Sequence, residues 1–183
     1  IANFASHFIW ELLHQTNLYM GARGMLNSLG GDMVAIRAGI VDAIPEDVVN
    51  DDAYLGAMVR EEGFQIAYVP EAVLRIRGPS TARDFLRQRS RVIYGHRQLS
   101  SQYGVTPNVF ENIMLSDPAT AAGIFMKACS AFRAGQLIKL PFVLALETLA
   151  QLSARVNRKR NYVLWEMVTT SKEEIPDAKG APP

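Results

Sequence analysis

The sequence predicts an α/β fold: a partial sheet-containing domain with few strands, followed by a mostly helical C-terminal region. Three observations predict it. Short apolar or alternating stretches bounded by Gly and Pro stand at 33–36, 64–69 and 72–76, where a period of two suits strands. Around them, apolar residues recur at spacings of three and four, as on one face of a helix. The resulting order is helix, strand, helix, two strands and a run of helices, with too few strands for a complete doubly wound domain.

Residues 4–19 carry Phe4, Phe8, Ile9, Leu12, Leu13 and Leu18 at helical spacing, and Gly21 to Gly24 stop that helix. Gly30-Gly31 opens the stretch Met33-Val34-Ala35-Ile36, expected to be a strand. Ile44-Pro45 imposes a turn or extended segment, because the residue before proline avoids the helical region. Asn50-Asp51-Asp52 precedes Tyr54, Leu55, Met58 and Val59, a helix start in which Asn or Asp caps free N–H groups. Gly63 ends that helix. Residues 64–69 and 72–76 read as strands closed by Pro70 and by Gly78-Pro79. Ser80 or Thr81 caps a long helix to about residue 103, and further helices are expected at 108–115, 117–133 and 136–160. Three units result: a sheet-containing unit at 1–107, a helical extension at 108–170 and a polar, frayed tail at 171–183.

The chain has 183 residues, 49% hydrophobic and 20% charged, which suits a globular protein with one sizeable core. A net charge of +1 argues against general nucleic-acid binding. The charge is unevenly placed, however. Arginines 75, 77, 83, 87, 89, 91 and 97 share their stretch with one acid, Asp84, and Arg155, Arg158, Lys159 and Arg160 form a second basic cluster. Such local density suits a local anion. The single Cys129 allows no internal disulfide. His7, His14 and His96 lack ligand-like spacing, so no metal site is expected among them.

The chemistry-bearing residues are Asp51 and Asp52, then Gln88, Arg89 and Arg91. The acids admit two readings. As caps at a helix N-terminus they are worth about 1 kcal/mol. As a base, a carboxylate within reach of an acceptor hydroxyl takes its proton, and a neighbouring like charge favours that role. Arg83, Arg87 and Arg91 stack at spacings of four, which repels in an isolated helix. Such a stack either holds an anion, since guanidinium forks match phosphate oxygens, or forms a solvated or membrane-facing basic stripe. Gly30 and Gly31, followed by Arg37, are either a turn into a strand or a close approach of backbone to ligand.

Taken in order, these pieces resemble the second half of a family 2 glycosyltransferase domain of the GT-A type, in the processive or membrane-associated branch that includes cellulose, chitin and hyaluronan synthases. The resemblance covers about residues 20–97. It runs through Gly30-Gly31, Ile36-Arg37, Asp51-Asp52-Ala53-Tyr54-Leu55, the run Gly63-Phe64-Gln65-Ile66-Ala67-Tyr68-Val69-Pro70-Glu71-Ala72, and Gln88-Arg89-Ser90-Arg91.

It implies that Asp52 is the catalytic base, with Asp51 where glutamate is usual. It implies that Gln88 and Arg91 contact the acceptor end and the donor diphosphate, with Arg89 at the variable position between them. Gly30, Gly31 and Arg37 join the substrate-binding set. The implied reaction is inverting displacement by a hydroxyl of a glycan or lipid acceptor on a nucleotide-diphosphate sugar, with Mg2+ or Mn2+ in the full enzyme. Two departures stand out. Val92 occupies the place of the motif's tryptophan, and no Asp-x-Asp occurs in the chain. The metal ligands and the donor-binding half are therefore expected outside this chain, which alone would be inactive.

Residues 137–156 are amphipathic and end in the basic cluster at 155–160, a pattern suited to an anionic membrane surface and also to ordinary core packing. With the resemblance, this places the protein on the cytoplasmic side of the cell membrane. The competing reading is a non-catalytic anion-binding or membrane-surface module whose acids serve only as caps.

Overall fold

A computed structural model describes residues 1–30 and 32–156. Gly31, the basic residues Arg158, Lys159 and Arg160, and the tail at 171–183 lie outside the described residues. The described chain forms helices α1 (Ala2–Gly21), α2 (Asp51–Glu61), α3 (Ala82–Gln102), α4 (Phe110–Ser116), α5 (Pro118–Ser130), α6 (Ala134–Leu137) and α7 (Leu140–Val156).

The α/β expectation is overturned: no strand or sheet forms among the described residues. Residues 34–37, 64–69 and 72–79 run without regular structure. A strand exists only through ladder hydrogen bonds to a neighbour, and no described segment supplies one. The period of two is nevertheless used. Ile66 and Tyr68 are half-buried against Met20, Leu26 and Ile113, while Phe64, Val69, Val73, Leu74 and Ile76 stay exposed. The alternating face therefore docks on helices rather than on another strand.

Helix boundaries follow local chemistry. Asp84 N–H donates to Thr81 Oγ1 at 3.2 Å, which fixes the start of α3 at the expected cap. Asp117 caps α5 through Thr120 N–H, with Pro118 in the first turn. Gly63 (φ 81°) follows α2, and Phe64 N–H returns to the Val59 carbonyl at 3.1 Å. This pairing satisfies carbonyls left open by the helix end, and the left-handed backbone it needs suits glycine. The helix expected from 136 onward is broken at Ile138-Lys139, between α6 and α7.

The main core joins Ala2, Phe4, Ala5 and Phe8 of α1 to Phe85 of α3 and Val143 of α7, with Phe125, Cys129 and Phe132 packed against it. Along α3 and α7, Ala150 and Ala154 bury against Ile93. Their small side chains let the two helices approach closely. Val48, Ala53 and Leu99 bury together, seating α2 on the far half of α3.

Candidate functional site: the junction of α2 and α3

Asp51 and Asp52 open α2, as the sequence predicts. Asp51 Oδ1 accepts from Asp52 N–H at 3.1 Å, and Asp52 Oδ1 accepts from Ala53 N–H at 2.7 Å. Both acids thus serve the helix N-terminus, where negative charge is favoured. Asn50 differs from expectation. Its side chain makes no cap and instead donates from Nδ2 to the Val92 carbonyl on α3, 2.9 Å away.

Helix α3 holds the approach to α2 by its side chains. Arg91 Nη2 donates to the Val49 carbonyl at 2.7 Å. Gln98 Oε1 accepts from Val49 N–H at 3.0 Å, and Gln98 Nε2 donates to the Asp47 carbonyl at 2.8 Å. Val49 is buried outside any helix, so both ends of its peptide backbone need partners. Arg91 and Gln98, seven residues apart, provide them. Tyr103 Oη donates to Asp47 Oδ1 at 2.8 Å, which raises the tyrosine pKa. Its ring meets Tyr54 edge-on.

The guanidinium of Arg91 is half-buried. Burial disfavours its charge and lowers its pKa, opposed by the charges of Asp51 and Asp52. The charges of the two acids are therefore felt at Arg91 despite their separation in sequence. Gln88, one turn before Arg91 on the same face of α3, is exposed.

Arg89 lies elsewhere. Its Nη2 donates to Glu111 Oε1 at 2.6 Å and its Nε to Glu147 Oε2 at 2.8 Å. Burial opposes the charge, and the two carboxylates outweigh it, so its pKa is raised. This guanidinium clamps α3 to α4 and α7. Arg37 is exposed in the loop after Gly30 and makes no ion pair among the described residues. Gly30 is also exposed, and a Cβ there would meet nothing within 4 Å.

Close approach requires glycine at two other positions, Gly95 where α3 meets Asn50 and Gly56 where α2 meets residues 28–29. A Cβ on Gly95 would overlap the Asn50 side chain, and one on Gly56 would lie 2.7 Å from Ser28 Cα. Sequence reasoning missed Gly95, Gln98 and Gly56. A usable signal was the run Gln88, Arg91, Gly95, Gln98, whose three-four-three spacing marks one face of α3.

No group of three or more His, Cys, Asp and Glu side chains among the described residues is placed to hold a metal ion. Asp51 and Asp52 offer two carboxylates beside a guanidinium, a donor set that does not fit Mg2+ or Mn2+ by itself.

The arrangement holds two carboxylates at a helix N-terminus and anchors a guanidinium on the carbonyl two residues before them. That combination suits removal of a proton next to an anion. No curated protein and no solved structure matches the chain. A family model described as glycosyl transferase family group 2 matches residues 1–165.

Proposed function

The chain belongs to glycosyl transferase family group 2, and from that membership we propose that the α2–α3 junction is the acceptor side of an inverting sugar transfer with Asp52 as general base. The family makes it a transferase that moves a sugar from a nucleotide-sugar donor to an acceptor. In the proposed reaction the acceptor hydroxyl gives its proton to the Asp52 carboxylate as its oxygen bonds the anomeric carbon. The bond from that carbon to the diphosphate oxygen breaks, and the nucleoside diphosphate leaves with the electron pair. Arg91 and Gln88 receive the negative charge near the base, while Arg89 braces the helix that carries them. The observation that carries this reading is the anchoring of Arg91 on the Val49 carbonyl, two residues before Asp51, which keeps its guanidinium within electrostatic reach of both acids.

The experiment is Asp52→Asn in the full-length protein. Asparagine keeps the side-chain oxygen that meets Ala53 N–H and loses the basicity. Transfer is expected to fall by at least about a hundredfold, with donor affinity kept. Retained turnover rejects Asp52 as the base.

A second feature favours docking at a membrane surface. Residues 134–156 are long and apolar enough to cross a membrane by length and composition. One face of α7 is already committed to α3 through Val143, Ala150, Ala154 and Glu147. The opposite face exposes Phe142, Leu144, Leu149, Leu152 and Val156, with Arg155 exposed at the C-terminal end of the helix. An apolar face with a basic end suits insertion into an anionic surface. The family resemblance supports the cytoplasmic side of the membrane as the surface in question. Co-sedimentation of the full-length protein with anionic vesicles, against the Phe142→Asp/Leu149→Asp variant, tests this. Equal binding by both proteins removes α7 from the interface.

A further inference from the structure

We infer that Gln98 is a positioning residue for the transfer reaction: its carboxamide bridges Asp47 and Val49 and so sets where α3 holds the N-terminus of α2 and its acids. The inference rests on the proposed role of Asp52.

Three observations carry it. First, the two ends of the Gln98 amide are used in opposite senses, Oε1 accepting from Val49 N–H and Nε2 donating to the Asp47 carbonyl. Only a group with an acceptor and a donor side by side fills both. Second, Gln98 is 8% exposed and Val49 is 1% exposed. Water therefore cannot replace the pair at no cost, since an unsatisfied buried group costs about 1–3 kcal/mol. Third, the bridged segment runs without a break into Asn50, Asp51 and Asp52, and Arg91 grips the same Val49 from its carbonyl side. The span from Arg91 to Gln98 measures out the segment, so displacement at Gln98 shifts the acids relative to the guanidinium.

Gln98→Glu tests the geometry. A protonated glutamic acid can still donate to the Asp47 carbonyl and accept from Val49 N–H. An ionised one turns an oxygen toward that carbonyl and opens the bridge. The other charged groups facing the bridged segment are Asp47, whose carboxylate is held by Tyr103, and Arg91, Asp51 and Asp52. These remain in both proteins, and any shift that the new charge makes in their titration is absent from Gln98→Met, which removes the bridge without adding charge.

The full-length wild type, Gln98→Glu, Gln98→Met and Asp52→Asn are assayed for nucleoside-diphosphate release between about pH 5 and pH 8.5. The donor is the one that the wild type turns over fastest in a panel of uridine- and guanosine-diphosphate sugars. Thermal melts at each pH check that the proteins are folded.

The kcat of Gln98→Glu relative to wild type is expected to fall by about tenfold or more from the acid to the alkaline end, with donor KM steady. Gln98→Met, which has neither donor nor strong acceptor, is expected to be depressed equally at every pH. A flat ratio for folded Gln98→Glu, or wild-type kcat in Gln98→Met, overturns the inference. If Gln98→Glu unfolds at alkaline pH, Gln98→Met decides. Turnover retained in Asp52→Asn instead overturns the base assignment, whatever the Gln98 variants do.

Discussion

The Arg91 guanidinium donates to the Val49 carbonyl at 2.7 Å, two residues before the first carboxylate of α2. This contact joins an arginine of the long third helix to the irregular segment that delivers the acids. Val49 lies in no helix, yet α3 satisfies its backbone at both ends. The junction therefore has the order of regular structure without being any.

Close approach at Gly95 is the first consequence open to test. A methyl there would overlap the Asn50 carboxamide, which donates to Val92 on the same helix. Gly95→Ala gains helix propensity of about 1 kcal/mol, and the overlap costs about 1–3 kcal/mol or more. Net destabilisation is expected in denaturant titration of the full-length protein. Adding Asn50→Ala, which empties the space, should recover part of that loss. Strict additivity of the two variants would disprove the contact.

Arg89 and Arg91 should separate stability from activity. Arg89→Met leaves Glu111 and Glu147 without their shared cation. A loss of roughly 2–4 kcal/mol is expected, somewhat under the range for fully buried pairs because both acids keep some solvent contact. Arg91→Lys keeps charge but not the fork, so its main effect should be on transfer rate. Chemical denaturation and steady-state kinetics on both variants check the division. An Arg89 variant of wild-type stability would refute it.

Acid should weaken the fold through His96. Burial first, and then the Arg89 charge, pushes its pKa from 6.5 down to about 4. Between those values the unfolded state binds the proton and the folded state does not, so stability rises with pH there. The contribution is fully present above about pH 6.5 and is lost as pH falls toward 4, on the order of 3 kcal/mol at most. His96→Gln should flatten that part of the stability profile. An unchanged slope in the variant would place the acid sensitivity elsewhere.

Several elements were legible in the chain for identifiable reasons. Thr81, Asp117 and the αL glycine Gly63 mark helix ends through contacts to near neighbours. Such contacts depend on little beyond the adjacent sequence. The acid pair at the start of α2 was legible for the same reason. Of the Asn and Asp offered as caps, Asn50 does not serve, because Val92 offers its amide a carbonyl from a distant helix, and no local rule weighs that partner. Gln98 was passed over because a glutamine on a helix carries no signal until its partners are known.

By itself the sequence determined the helices, the placing of acids at a helix start, and membership of glycosyl transferase family group 2. Helices are readable because each closes its hydrogen bonds within a few residues. The tertiary structure decided the rest. Residues 64–69 alternate as a strand does, but pairing needs a distant partner, and Ile66 and Tyr68 pack on helices instead. It also decided which arginine meets the acids. Positions 89 and 91 are two steps apart, about 200° around an α-helix. That angle sends Arg89 to Glu111 and Glu147 and turns Arg91 toward Val49 and the two aspartates.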